Sequence, residues 1–280
     1  EKRAALLSRA RGQAAPLHNF DALQWAARPF AEMQPKERAL HLELRSSDES
    51  RALRHAFFAE RAVSQPAAIA GATAKTIAKI AIVGGGLMGA GIAAACLGAG
   101  YAVSVVERDQ DAARGAQTRV HGLIAGALKR GKIDQTKHDA QIASFSVGVG
   151  YETAKDADLA IEAVFEDLTV KQATFAGLAN VMATDAILAT NTSYLDPRDI
   201  FAGIENPSRC VGLHFFSPAH IMKLLEVVTL PDTATQTIAR AFAFNLEEPG
   251  GMIVGELFDD LPRFLFCERR IEQNSTIAQK

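Results

Sequence analysis

Residues 79–107 read KIAIVGGGLMGAGIAAACLGAGYAVSVVE. Four apolar residues, Ile80 to Val83, run into Gly84-Gly85-Gly86-Leu87-Met88-Gly89, which matches G-x-G-x-x-G. A small-residue segment of helical length follows, then Ala102 to Val106, then an acid, Glu107, 23 positions after Gly84. The order predicts strand, glycine turn, helix, strand, and each piece has a physical reason. Gly84 permits the tight turn, Gly86 lets backbone N–H groups approach a pyrophosphate, and Gly89 lets helix and strand pack closely. The helix N-terminus adds partial positive charge, and Glu107 can accept hydrogen bonds from a ribose diol. This is the first half of a dinucleotide-binding βαβ unit. A carboxylate at Glu107 repels a 2′-phosphate, which favours NAD over NADP, and Arg108 beside it weakens that preference slightly.

The same stretch has a competing reading. Ile80 to Val106 is 27 residues without a charge, long enough to cross a bilayer. Seven of them are glycine, three in a row, and a glycine costs about 1 kcal/mol in a helix interior. An acid ending a buried strand also wants a partner, which a glycine turn that merely packs would not provide. Composition agrees with an ordinary globular chain: 280 residues, 48% hydrophobic and 22% charged. The net charge of −2 points to neither nucleic acid nor anionic membrane. Cys96, Cys210 and Cys267 are odd in number and lack metal-ligand spacing, which fits a reducing compartment and no metal.

Working outward, residues 1–75 hold two of the 21 glycines but 20 charged residues. Lys36 to Leu44 and Arg51 to Val63 mix charges with apolar residues at helical spacing; Ala52, Ala56, Ala59 and Val63 form one stripe. A helical arm is expected here, with Ser64 to Lys75 as a linker. From Thr76 strands and helices alternate. Helices are expected over Gln110–Arg130, Leu168–Ala183 and Thr233–Phe244. Strands are expected over Asp158–Val164, Ala186–Ala189, Cys210–Phe216 and Leu224–Val228. That alternation argues for an α/β, Rossmann-like doubly wound, mostly parallel sheet preceded by the helical arm. The expected division is 1–75 helical connector and linker, 76–255 NAD-binding domain, and 256–280 an atypical tail that is a candidate for disorder.

Chemistry-capable residues cluster at the strand ends of this second half. Asn191 and Ser193 follow one strand, while His214 and Glu226 lie on two others separated by a turn that starts at Ser217-Pro218. Back-to-back strands around that turn would bring the carboxylate to the imidazole. Such a pair raises imidazole basicity and selects which ring nitrogen carries the proton. Other readings stay open at this point. A histidine in an apolar strand also serves as a satisfied core residue, and two residues 12 apart form no motif by themselves. Glu166 and Lys171 equally read as a capping acid and a solvated lysine at a helix start. Asn191-Thr192-Ser193 matches a glycosylation sequon, which is idle without a secretory signal.

Taken together, GGGLMGAGIA, DLAIEAVFEDLTVK, ILATNTS and GLHFFSPAHIMKLLEVV resemble the NAD-binding domain of the 3-hydroxyacyl-CoA dehydrogenases, in that family's order and spacing. The resemblance covers about residues 76–245. Glu37 to Arg61 is similar to the connector that precedes this domain in multifunctional fatty-acid oxidation enzymes, whose hydratase core is not represented here. The resemblance implies that His214 is the catalytic base, Glu226 its paired carboxylate, and Ser193 the serine near substrate hydroxyl and nicotinamide, with Asn191 in the same turn. It implies NAD contacts from Gly84, Gly86, Leu87, Met88, Gly89, Glu107, Val164, Glu166, Lys171, Ser193 and Ser217. The implied reaction is oxidation of an (S)-3-hydroxyacyl-CoA to the 3-ketoacyl-CoA with NAD as cofactor, in bacterial cytoplasm or peroxisome. The implied partners are an acyl-CoA and, through a helical C-terminal domain, an oligomer; neither nucleic acid nor a membrane span is expected.

Three positions depart from the family pattern. Glu107 stands where most relatives have Asp, and Ser217 where many have Asn. From about Asn245 the chain looks foreign: after Val254-Gly255 the family enters Gly-Phe-x-x-Asn-Arg and a helical domain, whereas here GELFDDLPRFLFCERR follows. A truncation or a change of reading frame would account for this, and impaired turnover is then expected. The alternatives are a non-catalytic NAD-binding or assembly module, and a dehydrogenase of the same fold acting on another hydroxy acid.

Overall fold

The computed structural model describes residues 2–10, 12–63, 69–72, 74–222, 224–244 and 252–257. The chain divides into two compact units, 1–62 and 63–280. The first unit is helical: α1 (Lys2–Arg9), α2 (Ala15–Ala22), α3 (Phe30–Ser46) and α4 (Asp48–Val63). Pro16 sits in the first turn of α2, where its missing N–H costs nothing. Between α3 and α4, the Ser47 hydroxyl accepts from the Ser50 N–H at 3.1 Å, and Asp48 and Glu49 complement the N-terminal dipole of α4. Only Ala10 is buried among the described residues of this unit.

The second unit carries an eight-stranded sheet in the order β3-β2-β1-β4-β5-β6-β7-β8. The strands are β1 (Lys79–Val83), β2 (Ala102–Glu107), β3 (Phe145–Val149), β4 (Leu159–Glu162), β5 (Ile187–Thr190), β6 (Cys210–Phe215), β7 (Leu224–Thr229) and β8 (Met252–Leu257). β1 to β6 pair in parallel, β7 returns antiparallel to β6, and β8 pairs parallel to β7. The crossovers carry α5 (Leu87–Gly98), α6 (Gln110–Lys129), α7 (Gln135–Ala143), α8 (Leu168–Val181) and α9 (Pro197–Ile200), and α10 (Thr235–Ala243) follows β7. Strand order reverses between β2-β1 and β4-β5, so the switch point lies at the carboxyl ends of β1 and β4.

The central strands are apolar on both faces because both faces are covered. Ile80, Ile82, Val105 and Ile161 pack with Ile92, Cys96, Val120 and Ile124 on one side. Ala81, Val83, Val106 and Ala160 pack with Phe175, Leu178 and Ile200 on the other. The uncharged stretch from Ile80 to Val106 is thus cut into β1, α5 and β2, and no helix among the described residues is long and apolar enough to cross a membrane.

Several elements differ from expectation for identifiable reasons. The strand expected over Asp158–Val164 spans only Leu159–Glu162, because the Asp158 carboxylate accepts from Ala78 and Lys79 N–H at 2.9 and 3.0 Å. α10 starts at Thr235 rather than Thr233, whose hydroxyl donates to Cys210 O and accepts from Leu230 N–H. α7 and β3 were not anticipated. The helix is polar around most of its circumference, and the strand is half exposed at the sheet edge, so neither carries a strong apolar period. β8 also lies beyond the expected strands and runs past residue 255 to Leu257. The rest of the tail, 258–280, and part of the linker, 64–68 and 73, fall outside the described residues.

Candidate active site

Gly84 ends β1 with φ +92 and donates its N–H to Val106 O at 3.0 Å. Only glycine takes that conformation easily, and a methyl group there would also lie 2.9 Å from Ala163 O. At Gly89 a methyl group would lie 1.8 Å from Gly84 O, so the helix sits against the turn only because the position is bare. Gly86 is different: nothing lies within 4 Å of where its Cβ would be. It caps α5 without a side-chain hydrogen bond, and Leu87 beside it is 80% exposed. Open space thus faces the first, unpartnered turn of a helix.

Glu107, at the end of β2, accepts the Gly85 N–H at 2.7 Å. Val164 follows β4 beside Gly84. The turn residues Gly84, Gly86, Leu87, Met88 and Gly89 therefore meet Glu107 and Val164 at one end of the sheet. Bare backbone, a helix N-terminus and a neighbouring acid fit a dinucleotide with free ribose hydroxyls. Gly85 was not singled out from the sequence. A methyl group there would lie 2.3 Å from Ala116 Cβ, and Arg119 Nη1 donates to its carbonyl at 2.9 Å. Its only sequence signal is being the third glycine in a row.

The second cluster sits at the ends of β5, β6 and β7. The Asn191 N–H donates to Glu162 O at 3.0 Å, and its Oδ1 accepts the Phe215 N–H at 2.7 Å, so the side chain ties β5 to β6. His214 and Glu226 are direct partners in the antiparallel register. The His214 Nδ1 to Glu226 Oε2 distance is 2.8 Å, and Ser193 Oγ lies 3.3 Å from His214 Nε2. The Phe216 ring packs against the imidazole at 4.7 Å between centroids. Ser217 is exposed in the following turn.

A buried ionic chain connects the two clusters. Glu162, the last residue of β4, is 0% exposed and accepts from Lys171 Nζ at 2.6 Å, Val164 N–H at 2.8 Å and Thr190 Oγ1 at 2.7 Å. Lys171, on α8, is 1% exposed and also meets Glu166 Oε2 at 3.1 Å. The other Glu166 oxygen accepts from the Thr192 hydroxyl and from Ser193 N–H at 3.2 Å. Burial would raise the Glu166 carboxyl, but the Thr192 hydroxyl, the Lys171 ammonium and the Ser193 N–H outweigh it and hold the group below its ordinary value. The structure thus gives Lys171 a buried carboxylate partner in Glu162 and a half-buried one in Glu166, rather than a solvated position.

The family model for the 3-hydroxyacyl-CoA dehydrogenase NAD binding domain matches residues 79–250, more than half of the chain. The chain belongs to that family. Over 194 residues it is 39% identical to the glyoxysomal fatty acid β-oxidation multifunctional protein MFP-a of Cucumis sativus, covering 69% of this chain and 27% of that protein. The peroxisomal bifunctional enzyme of Homo sapiens is 34% identical over 80% of this chain and 31% of its own length. This chain therefore spans about a third or less of these relatives. Among solved structures, 3-hydroxybutyryl-CoA dehydrogenase of Escherichia coli superposes with a TM-score of 0.61 at 33% identity, covering 65% of this chain and 39% of that one. FadB2 of Mycobacterium tuberculosis gives 0.63 at 28% identity, covering 72% and 74%.

In this NAD-binding-domain family member the geometry has a definite chemical capacity. With Nδ1–H directed to Glu226, the Nε2 lone pair faces Ser193 Oγ. The pair can take up one proton and hold the resulting imidazolium against a carboxylate. Glu162, Thr190 and Thr192 escaped the sequence reading. The signal that could have found Glu162 is a lone acid closing a fully apolar strand, with a lysine nine residues on.

Proposed function

We propose that this chain binds NAD and oxidises (S)-3-hydroxyacyl-CoA to 3-ketoacyl-CoA, as the dehydrogenase part of a fatty-acid β-oxidation enzyme. The observation that carries the reading is the 2.8 Å contact of His214 with Glu226, with Ser193 Oγ 3.3 Å from the other ring nitrogen. Gly84, Gly86, Leu87, Met88 and Gly89 hold the pyrophosphate and Glu107 the ribose hydroxyls. Val164, Glu166, Lys171, Ser193 and Ser217 serve the nicotinamide half. NAD, when bound, supplies the hydride acceptor.

The protein's part is binding and proton handling. Ser193 Oγ positions the substrate hydroxyl. His214 Nε2 takes its proton, and Glu226 stabilises the imidazolium that forms. Asn191 keeps β5 and β6 in register so that Ser193 and His214 stay together. Assembly through a helical C-terminal domain, and residence in cytoplasm or peroxisome, belong to the same reading; the relatives named above are glyoxysomal and peroxisomal proteins.

The test is NADH-dependent reduction of acetoacetyl-CoA, with NADH affinity measured in parallel. His214→Gln is expected to lower turnover by about a thousandfold while NADH binding persists. Equal loss of both refutes the assigned roles. NADH binding without turnover in the unaltered chain would make it a non-catalytic NAD-binding or assembly module. Equal turnover of free 3-hydroxybutyrate and its CoA ester would overturn the substrate class.

A further inference from the structure

We infer that Glu162 is a positioning residue, which acts through Lys171 and Glu166 to hold Ser193 against His214; the inference rests on the dehydrogenase reading above. Glu162 does not itself reach the proposed reaction centre. It lies at the bottom of the chain of contacts, fully buried, with each carboxylate oxygen engaged: Oε1 by Lys171 Nζ and Val164 N–H, Oε2 by Thr190 Oγ1. A buried carboxylate satisfied this completely is rigid, and so is the ammonium it grips.

Lys171 lies between two acids, 2.6 Å from Glu162 and 3.1 Å from Glu166. The closer acid keeps the ammonium from drawing Glu166 away. Glu166 then keeps its second oxygen on Thr192 Oγ1 and Ser193 N–H. Thr192 Oγ1 in turn accepts Leu195 N–H at 3.0 Å, which closes the loop carrying Ser193. The backbone of the same Glu162 accepts the Asn191 N–H, two residues before Ser193. One residue therefore governs the serine loop from both ends, by its carbonyl directly and by its carboxylate through Lys171 and Glu166.

The experiment uses the full chain with NADH and acetoacetyl-CoA as probes. Glu162→Gln keeps the volume and removes the charge, leaving Lys171 to pull on Glu166 alone. kcat is expected to fall about thirtyfold while the NADH dissociation constant moves less than about threefold. In Glu162→Gln/Lys171→Met the competing ammonium is gone too, so Glu166 returns to Thr192 and Ser193; because Lys171 also serves the nicotinamide half, that return is read by exchange at Ser193 and not by kcat. An unchanged kcat in folded Glu162→Gln, or exchange at Ser193 no slower in the double variant than in the single, overturns the inference. Should Glu162→Gln not fold, Thr190→Val releases one carboxylate oxygen and is expected to lower kcat about threefold; no change there overturns it as well. Amide exchange at Ser193, read in the same proteins, is expected to quicken about tenfold in Glu162→Gln and to slow again in the double variant. Exchange needs no turnover. An inactive unaltered chain therefore refutes the dehydrogenase reading, while exchange still decides whether Glu162 positions Ser193.

Discussion

Replacing Glu226 by Gln removes one negative charge 2.8 Å from His214 Nδ1 and leaves the shape of the site intact. The amide oxygen still accepts the Nδ1–H, so ring orientation and tautomer are retained. What disappears is the attraction between carboxylate and imidazolium once the hydroxyl proton has arrived. Two unit charges about 4 Å apart interact by about 4 kcal/mol at an effective dielectric of about 20. The side chains are 18% and 35% exposed, so solvent screening brings this to about 2–3 kcal/mol, the range of hydrogen bonds to charged groups. At about 1.4 kcal/mol per tenfold in rate, kcat for oxidation should fall about 30- to 150-fold. The assay is NAD-dependent oxidation of (S)-3-hydroxybutyryl-CoA at saturation of both substrates, with the NAD dissociation constant measured alongside. Loss confined to kcat supports stabilisation of the developing imidazolium. A folded Glu226→Gln with kcat within about threefold of the unaltered chain refutes the role of the pair.

Three further perturbations separate site from scaffold. Gly86→Ala meets open space at negative φ, so stability should stay within about 0.5 kcal/mol while NADH affinity falls at least about tenfold; Gly89→Ala drives a methyl into Gly84 O and should cost about 3 kcal/mol or more in denaturant unfolding. The reverse ranking would put the ligand elsewhere. Because the folded Glu166 carboxyl is held below its ordinary value of 4.5, its stabilising contribution is complete above that pH and is lost as pH falls through the lower folded value. Melting temperatures of the unaltered chain and Glu166→Gln should therefore differ most near about pH 6 and draw together as pH falls below that ordinary value, and a constant difference would contradict the stated cause. Burial pushes the Cys96 thiol up and the Cys210 thiol to about 12, so at about pH 8 native protein should resist iodoacetamide at both positions by peptide mass spectrometry. Labelling of either one as fast as in urea would show that the core opens there.

The glycine turn was legible because everything it needs is local. A strand, a turn of bare backbone and a helix follow one another in sequence; Gly84 is demanded by its own positive φ and Gly89 by the carbonyl of Gly84. The parallel core was legible for a related reason, since strands covered on both faces show as continuous apolar runs. α7 and β3 were not, because an edge strand and a polar helix leave little hydrophobic period. The His214–Glu226 pair was visible as two residues on two strands, but twelve positions of spacing say nothing about distance. Glu162 and Lys171 were harder still, because a lone acid and a lysine nine positions later look like surface charges until both are buried.

Sequence alone determined the class of fold and the placing of the glycine turn, which depend on local conformation and on short-range apolar periodicity, and it offered polar side chains at the strand ends as candidates. Tertiary structure decided which of those side chains meet. The antiparallel register of β6 and β7 sets His214 opposite Glu226, and the parallel pairing of β4, β5 and β6 brings Glu162, Ser193 and His214 to the carboxyl ends of neighbouring strands. Register is a property of pairing between distant segments, fixed by burial of alternate faces and by hydrogen bonds across the sheet. No stretch of the chain contains it by itself.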